Sequence, residues 1–244
     1  MRYAILGDIH ANLTALEAVL ADVRETGVDR IVSVGDVVGY GAAASEVIQL
    51  LRELQIAVVK GNHDAACIGE LDTTFFNPHA RAAVEWTRER LSDDEASWLR
   101  GLPLVMHLEH CSVAHGTYAT PERFDYVLST EDADASLDQQ PLPVCFVGHT
   151  HVPVTILRLA ESPTRTSYTM DDEVDLSEAT RALINAGSVG QPRDEDSRAA
   201  WGLFDAEAQR FEMKRVTYDI GVEAQRIRAQ GLPAFLADRL YLGV

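Results

Sequence analysis

The sequence predicts an α/β fold: two mixed β-sheets packed as a layered sandwich and flanked by helices. Three observations predict it. The first thirty-five residues or so run strand, helix, strand, a unit whose two strands must be parallel. The second half pairs short apolar runs into hairpins, which places antiparallel strands beside parallel ones. Finally, apolar runs repeatedly end at a glycine followed by Asp, Asn or His: Gly7-Asp8-Ile9-His10, Gly35-Asp36, Gly61-Asn62-His63-Asp64 and Gly148-His149-Thr150-His151, with Ala114-His115-Gly116 as a variant.

Residues 3–7 form a buried strand closed by Gly7. From Asn12, the spacing of Leu13, Leu16, Val19, Leu20 and Val23 has a helical period that Gly27 ends. Ile31–Val34 is the second strand, Glu46–Leu54 the second helix and residues 56–60 the third strand. Asn77 followed by Pro78 opens a helix to Leu91. Ser92-Asp93-Asp94-Glu95 is a capping-box pattern for a short helix through Leu99. Leu104–Leu108 and Cys111–His115 read as a hairpin about Glu109-His110, Ser129–Leu137 as a weak helix, and Val144–Val147 and Val154–Leu159 as strands. The polar, acidic stretch Pro163–Ala179 is expected to be a loop or an edge hairpin. Leu183-Ile184 leads into Asn185-Ala186-Gly187-Ser188. Trp201–Phe204 and Arg210–Val216 form a second hairpin, and the chain from Gly221 is helical with a break at Gly231-Leu232-Pro233. One domain over residues 1–244 is expected, with a helical insertion at about 70–102.

Composition narrows the function. A net charge of −17 repels a nucleic-acid backbone or an acidic membrane surface, so neither is an expected partner. A small phosphorylated substrate remains compatible, because bound cations reverse the sign locally. Homo-oligomerisation is equally compatible. Cys67, Cys111 and Cys145 are odd in number and widely spaced, which favours reduced thiols in a cytoplasm. The N-terminal apolar run is too short for a signal peptide or a membrane span.

In open α/β sheets, ligands bind beyond the carboxyl ends of the strands. Asp8, His10, Asp36, Asn62, His63, His115, His149 and His151 each follow a predicted strand, so they can converge. Imidazole together with carboxylate or amide oxygen suits Mn, Fe, Zn, Co or Ni. The set is too large for one four-coordinate ion and about right for two. His79, His107 and His110 lack this context. Phe75, Phe76, His79, Trp86 and Trp98 lie between two of these loops, where packing onto the sheet is expected more than a substrate entrance.

These motifs, taken in order over roughly residues 1–200, resemble the calcineurin-like metallophosphoesterase family. Asp8-Ile9-His10-Ala11-Asn12, Gly39-Tyr40-Gly41 and Asn185 through Arg193 look most like its small prokaryotic phosphodiesterase branch. The resemblance implies a four-layer α/β/β/α arrangement and a binuclear centre. Asp8, His10, Asp36 and His151 would hold one divalent transition metal; Asp36 would bridge to a second held by Asn62, His115 and His149. Manganese is the expected metal, with Fe, Zn, Ni and Co as alternatives, and His63 would be the acid that is not a ligand. Asn12 and Arg193 are expected to contact substrate. The implied reaction is direct hydrolysis of a small phosphodiester or phosphomonoester by a hydroxide shared between the metals, with inversion at phosphorus. Dinucleoside polyphosphate hydrolysis, protein phosphatase activity and a non-catalytic binding scaffold are the alternatives. Gly35-Asp36 is followed by Val37-Val38-Gly39-Tyr40, where the protein Ser/Thr phosphatase branch carries G-D-x-x-D-R-G, so that activity is the less expected one. Asp64 need not orient His63.

Overall fold

The computed structural model describes residues 1–244. Its first sheet is built on β1 (Arg2–Leu6), whose alternation separates two faces. Tyr3 and Ile5 point one way, Ala4 and Leu6 the other, and all four side chains are fully buried. A strand buried on both faces must have a layer on each side. Helix α1 (Leu13–Thr26) returns the chain to β2 (Arg30–Ser33), parallel to β1. Helix α2 (Ala44–Glu53) returns it to β3 (Ala57–Val58), parallel to β2.

The next segment departs from expectation. Asn62 does not sit in a loop after the third strand: it starts a short buried helix, α3 (Asn62–Cys67). Six residues are too few to show a helical period, and its buried polar residues conceal any amphipathic face. Helices α4 (Pro78–Arg88) and α5 (Asp93–Arg100) follow, with Asn77 and Ser92 accepting the expected capping bonds from Ala80 and Glu95. Strands β4 (Val105–His107) and β5 (Cys111–Ala114) form the foreseen hairpin. Helix α6 (Thr130–Gln139) precedes β6 (Val144–Val147), and β7 (Val154–Leu159) pairs with β8 (Ser162–Thr169).

The acidic stretch read as a loop or edge hairpin is an edge hairpin only in its first half, where β8 pairs with β7. After β8 the chain leaves one sheet for the other, where β9 (Glu173–Asp175) pairs with β12 (Arg210–Val216). Each of the two strands closes a sheet edge, so polar side chains there face water and block further pairing. Strand β10 (Ala179–Asn185) is longer than Leu183-Ile184 alone, and β11 (Ala199–Asp205) completes the second hairpin with β12. Helices α7 (Ile220–Ala229) and α8 (Ala234–Asp238) end the chain.

The strand orders are β3-β2-β1-β11-β12-β9 and β4-β5-β6-β10-β7-β8. Tyr3, Ile5 and Val32 of the first sheet pack against Val113, Phe146 and Ile184 of the second, which makes the two sheets the middle layers. The outer face of the first sheet (Ala4, Leu6, Trp201) is covered by α1, α2 and α5. The outer face of the second (Cys145, Val147, Ile156, Leu183) is covered by α6 through Ala133 and Leu137. Four layers result, in the order α/β/β/α.

Candidate metal centre

The carboxyl ends of β1, β2, β5 and β6 and the start of α3 meet at the junction of the two sheets. There Asp8, His10, Asp36, Asn62, His63, His115, His149 and His151 are all buried. The donor atoms of Asp8, His10, Asp36 and His151 lie within 4.8 Å of one another, as do those of Asp36, His115 and His149. Asp36 therefore belongs to two adjoining groups. Asn62 joins the second, with its Oδ1 3.0 Å from His115 Nε2.

Holding these side chains together distorts the backbone. Asp8, His10, Asp36, His149 and His151 all have φ between 47° and 70°. This left-handed region costs an L residue roughly 1–3 kcal/mol and persists only where surroundings over-determine it. The surroundings here are extensive. His10 N donates to Asp36 O at 2.8 Å and Ala11 N to Val37 O at 2.8 Å, joining the first two loops. The Asn185–Arg193 segment clasps the first loop: Val189 N donates to Gly7 O at 2.7 Å and Ser188 Oγ to Asp8 O at 2.7 Å. Gly190 must be glycine, because a Cβ there would meet Ile9 O at 1.8 Å.

The tautomers of three histidines follow from their partners. Nδ1 of His10, His115 and His151 lies 3.1, 2.9 and 2.6 Å from the carbonyl oxygens of Val38, Val34 and Gln191. A carbonyl only accepts, so each Nδ1 carries a proton and each Nε2 faces inward, as a lone pair on the neutral rings of His10 and His151. His10 Nε2 and His151 Nε2 then face one another at 3.1 Å. Burial holds both rings well below the ordinary histidine pKa, so no proton stands between them at neutral pH. Two lone pairs aimed into one space, with carboxylates alongside, fit a cation. At the other group, His115 Nε2 faces Asn62 Oδ1, His149 Nδ1 at 3.2 Å and Asp36 Oδ2 at 3.4 Å.

The charges divide unequally. Burial pushes Asp8 up to about 7, with Asp36 adding to the rise. Burial also raises Asp36, but the imidazoles around it, His115 first, hold it well below the usual carboxylate range. His115 mirrors this: burial lowers it, yet the Asp36 carboxylate lifts it to about 9. Burial first, and the neighbouring His115 second, lower His149 to about 3.

His63 stands beside the donor groups. Its ring lies 4.8 Å from that of His10 and 4.4 Å from that of Tyr40. Its Nδ1 is buried without a partner. Asp64 points elsewhere: Oδ1 accepts from Val37 N (2.9 Å) and Val38 N (3.2 Å), and Oδ2 from Gly61 N (2.9 Å). It ties the Asp36 loop to the α3 start and does not orient His63. Asn12, expected to contact substrate, is instead engaged by the fold. Its Oδ1 caps α1 at Ala15 N, and its Nδ2 donates to Gly190 O (2.9 Å) and Tyr218 Oη (3.3 Å). Arg193 does reach the site. It donates to Gln191 Oε1 (2.9 Å) and Tyr40 Oη (3.3 Å), while its Nε is buried and unpartnered.

A profile of the calcineurin-like phosphoesterase superfamily domain matches residues 1–209. The chain belongs to that superfamily. A metallophosphoesterase from Sphaerobacter thermophilus is 40% identical and superposes with a TM-score of 0.86, over 100% of this chain and 99% of that one. An uncharacterised protein of Methanocaldococcus jannaschii is 34% identical over 98% of this chain and 97% of its own. A hypothetical protein of Pyrococcus horikoshii, 22% identical, shares the fold with a TM-score of 0.79, over 100% of this chain and 98% of that one.

Sequence reasoning missed two residues beside the donor cluster. Tyr40 packs its ring 4.6 Å from His10. Tyr126 stacks on His149, with centroids 3.8 Å apart and planes 20° from parallel. Tyr40 lay within a quoted motif, whereas nothing in the sequence around Tyr126 marks it. Of the aromatic residues between the loops, Phe76 lies 5.2 Å from His63. Phe75 is 95% exposed, His79 stacks on Phe235, Trp86 bonds Gln230 O, and Trp98 packs on the first sheet's outer core.

Proposed function

We propose that the protein is a metal-dependent phosphoesterase that hydrolyses a small phosphodiester or phosphomonoester. Asp8, His10, Asp36 and His151 hold one divalent transition-metal ion, and Asp36, Asn62, His115 and His149 hold a second. Manganese is the first candidate, with Fe, Zn, Ni or Co as alternatives. The observation that carries the reading is the convergence of the inward-facing Nε2 atoms of His10, His151 and His115, each ring set by an Nδ1–carbonyl bond. Such outer bonds fix ligand orientation in metal sites. When bound, the two ions supply an activated water and neutralise phosphoryl charge.

The chain's own residues do the rest. Arg193 Nε, buried and free, receives a phosphoryl oxygen and orients it. His63 delivers a proton to the departing oxygen. Burial works against this role, since it lowers His63 to about 4; the anionic phosphoryl group beside the ring raises its proton affinity once substrate arrives. No carboxylate backs His63, because Asp64 is bound to three backbone amides. This favours a small diester or monoester over the phosphoprotein chemistry in which a paired carboxylate is used. The full chain acts as one catalytic unit, and its three free, buried cysteines suit a reducing cytoplasm.

The test is hydrolysis of bis-p-nitrophenyl phosphate by the full chain with Mn²⁺. Turnover that disappears on chelation, and in His63→Ala with metal content retained, supports the reading. Inactivity with every divalent metal and every phosphoester class would leave a binding scaffold.

A further inference from the structure

Beside the second donor group the surface changes character. A groove of about 530 Å³ runs from Tyr126 along the ends of β7 and β8, within the ~300–1,000 Å³ range of small-molecule sites. It arises where α6 stops covering the second sheet. Ala133 and Leu137 seal Ile156 and Leu183, but beyond them Tyr168 and Met170 stand open. Tyr168 sits opposite Ile156 in the β7–β8 register. Leu128, Tyr168 and Met170 are 76, 66 and 61% exposed. No charged side chain lines the groove, on a chain whose net charge is −17. Scattered exposed apolar residues are ordinary, but a contiguous patch marks a binding surface.

Its position says what it binds. Tyr126, one wall, stacks on His149, and Thr150, another lining residue, lies between His149 and His151. The groove therefore adjoins the donor cluster. We infer that the groove walled by Tyr126, Leu128, Tyr168 and Met170 is the subsite for a ring-bearing organic group, of nucleoside size, esterified to the phosphate. Aromatic walls suit a flat ring, and the hydroxyls of Ser129, Thr130 and Thr150 offer the few polar contacts that fix its orientation. The inference rests on the phosphoesterase reading for where the phosphate lies, and it narrows the substrate to esters with a sizeable ring.

The experiment compares two diesters with the same leaving group, thymidine 5′-(p-nitrophenyl phosphate) and methyl p-nitrophenyl phosphate, on the Mn²⁺-loaded full chain. The ratio of their kcat/KM values should favour the thymidine ester. It should fall about 10-fold or more in the double variant Tyr168→Thr, Met170→Thr, and in the same direction in Leu128→Ser, whose exposed position makes it a fold-safe second probe. A ratio unchanged by these substitutions, whether both rates fall or neither does, overturns the inference. So does loss of a dimer on substitution with the ratio unchanged, which would assign the groove to a contact between copies. Calorimetric binding of thymidine 5′-monophosphate against methyl phosphate, in a His63→Ala background, separates the two readings. Preference for the nucleotide, lost in the groove variants, keeps the groove even if the chain hydrolyses neither diester. Hydrolysis without preference removes the groove alone.

Discussion

The two halves of the donor cluster are built from similar residues but behave differently. Around Asp8, His10 and His151 everything is sealed. The Asn185–Arg193 segment closes over the loop, and both imidazoles are neutral because burial meets no opposing charge strong enough. Around Asn62, His115 and His149, Asp36 raises His115 to about 9, and Tyr126 leads outward to an open groove. The first half is a closed anchor. The second is an exchangeable pole that a proton can hold in place of a cation, and it lies on the side of the open groove.

Because Asp36 belongs to both halves, it is where the comparison breaks most completely. Asp36→Asn should lower kcat/KM by about 10³-fold or more, since several kcal/mol of charge stabilisation is removed, and should reduce bound metal at both poles when ions are counted by mass spectrometry. His63→Ala should cost about 10²–10⁴-fold in kcat while leaving metal content as in the wild type; loss of metal as well would make His63 part of the ligand set.

The difference between the halves also predicts pH behaviour. Loading the second pole must expel the His115 proton, so affinity there should rise about tenfold per pH unit between 6.5 and about 9. Uptake at the first should lack that dependence above about 7, where Asp8 has lost its proton. Titration calorimetry in buffers of different ionisation enthalpy would count the protons released. The metal-free protein should show the converse. A histidine whose pKa is raised on folding contributes stability that is complete below its unfolded value and lost as pH rises through the folded one. The melting temperature should therefore fall from pH 6.5 towards 9, and saturating metal should remove the slope.

A smaller effect is expected at Asn12. Asn12→Ala removes the α1 cap, so stability should drop by about 1 kcal/mol, with KM changed far less than by Arg193→Gln. A comparable rise in KM would return Asn12 to the substrate contacts. Phe75→Ala, at a side chain 95% exposed, should change neither activity nor melting temperature.

Residue chemistry that repeats after strand-ending glycines was legible directly. Asp8, His10, Asp36, His115, His149 and His151 could be picked out because strand ends in an α/β sheet face one side, and the βαβ opening sets the direction of that side. The sandwich was legible for the same reason, through periods of 2 and 3.6. Asn62 lies buried beside His115, but its setting was misread: six residues of α3 carry no period.

Other features were settled only when distant segments met. The acidic stretch after Pro163 supplies an edge to each sheet, and an edge strand's polarity looks the same as a loop's until its partner is known. Five donor residues adopt left-handed backbone because the Asn185–Arg193 clasp and the Asp36 loop impose it, a constraint no local preference reveals. Asp64, adjacent to His63 in sequence, is turned away by three amide bonds, and Asn12 is drawn into a cap and a bond to Gly190. Tyr126 meets His149, and Leu128 meets the end of β8, only where α6 stops short. The sequence by itself determined which chemistry gathers and at which end of the sheets. The tertiary structure decided how those residues are aimed, because aim depends on hydrogen bonds and packing between segments up to 206 residues apart.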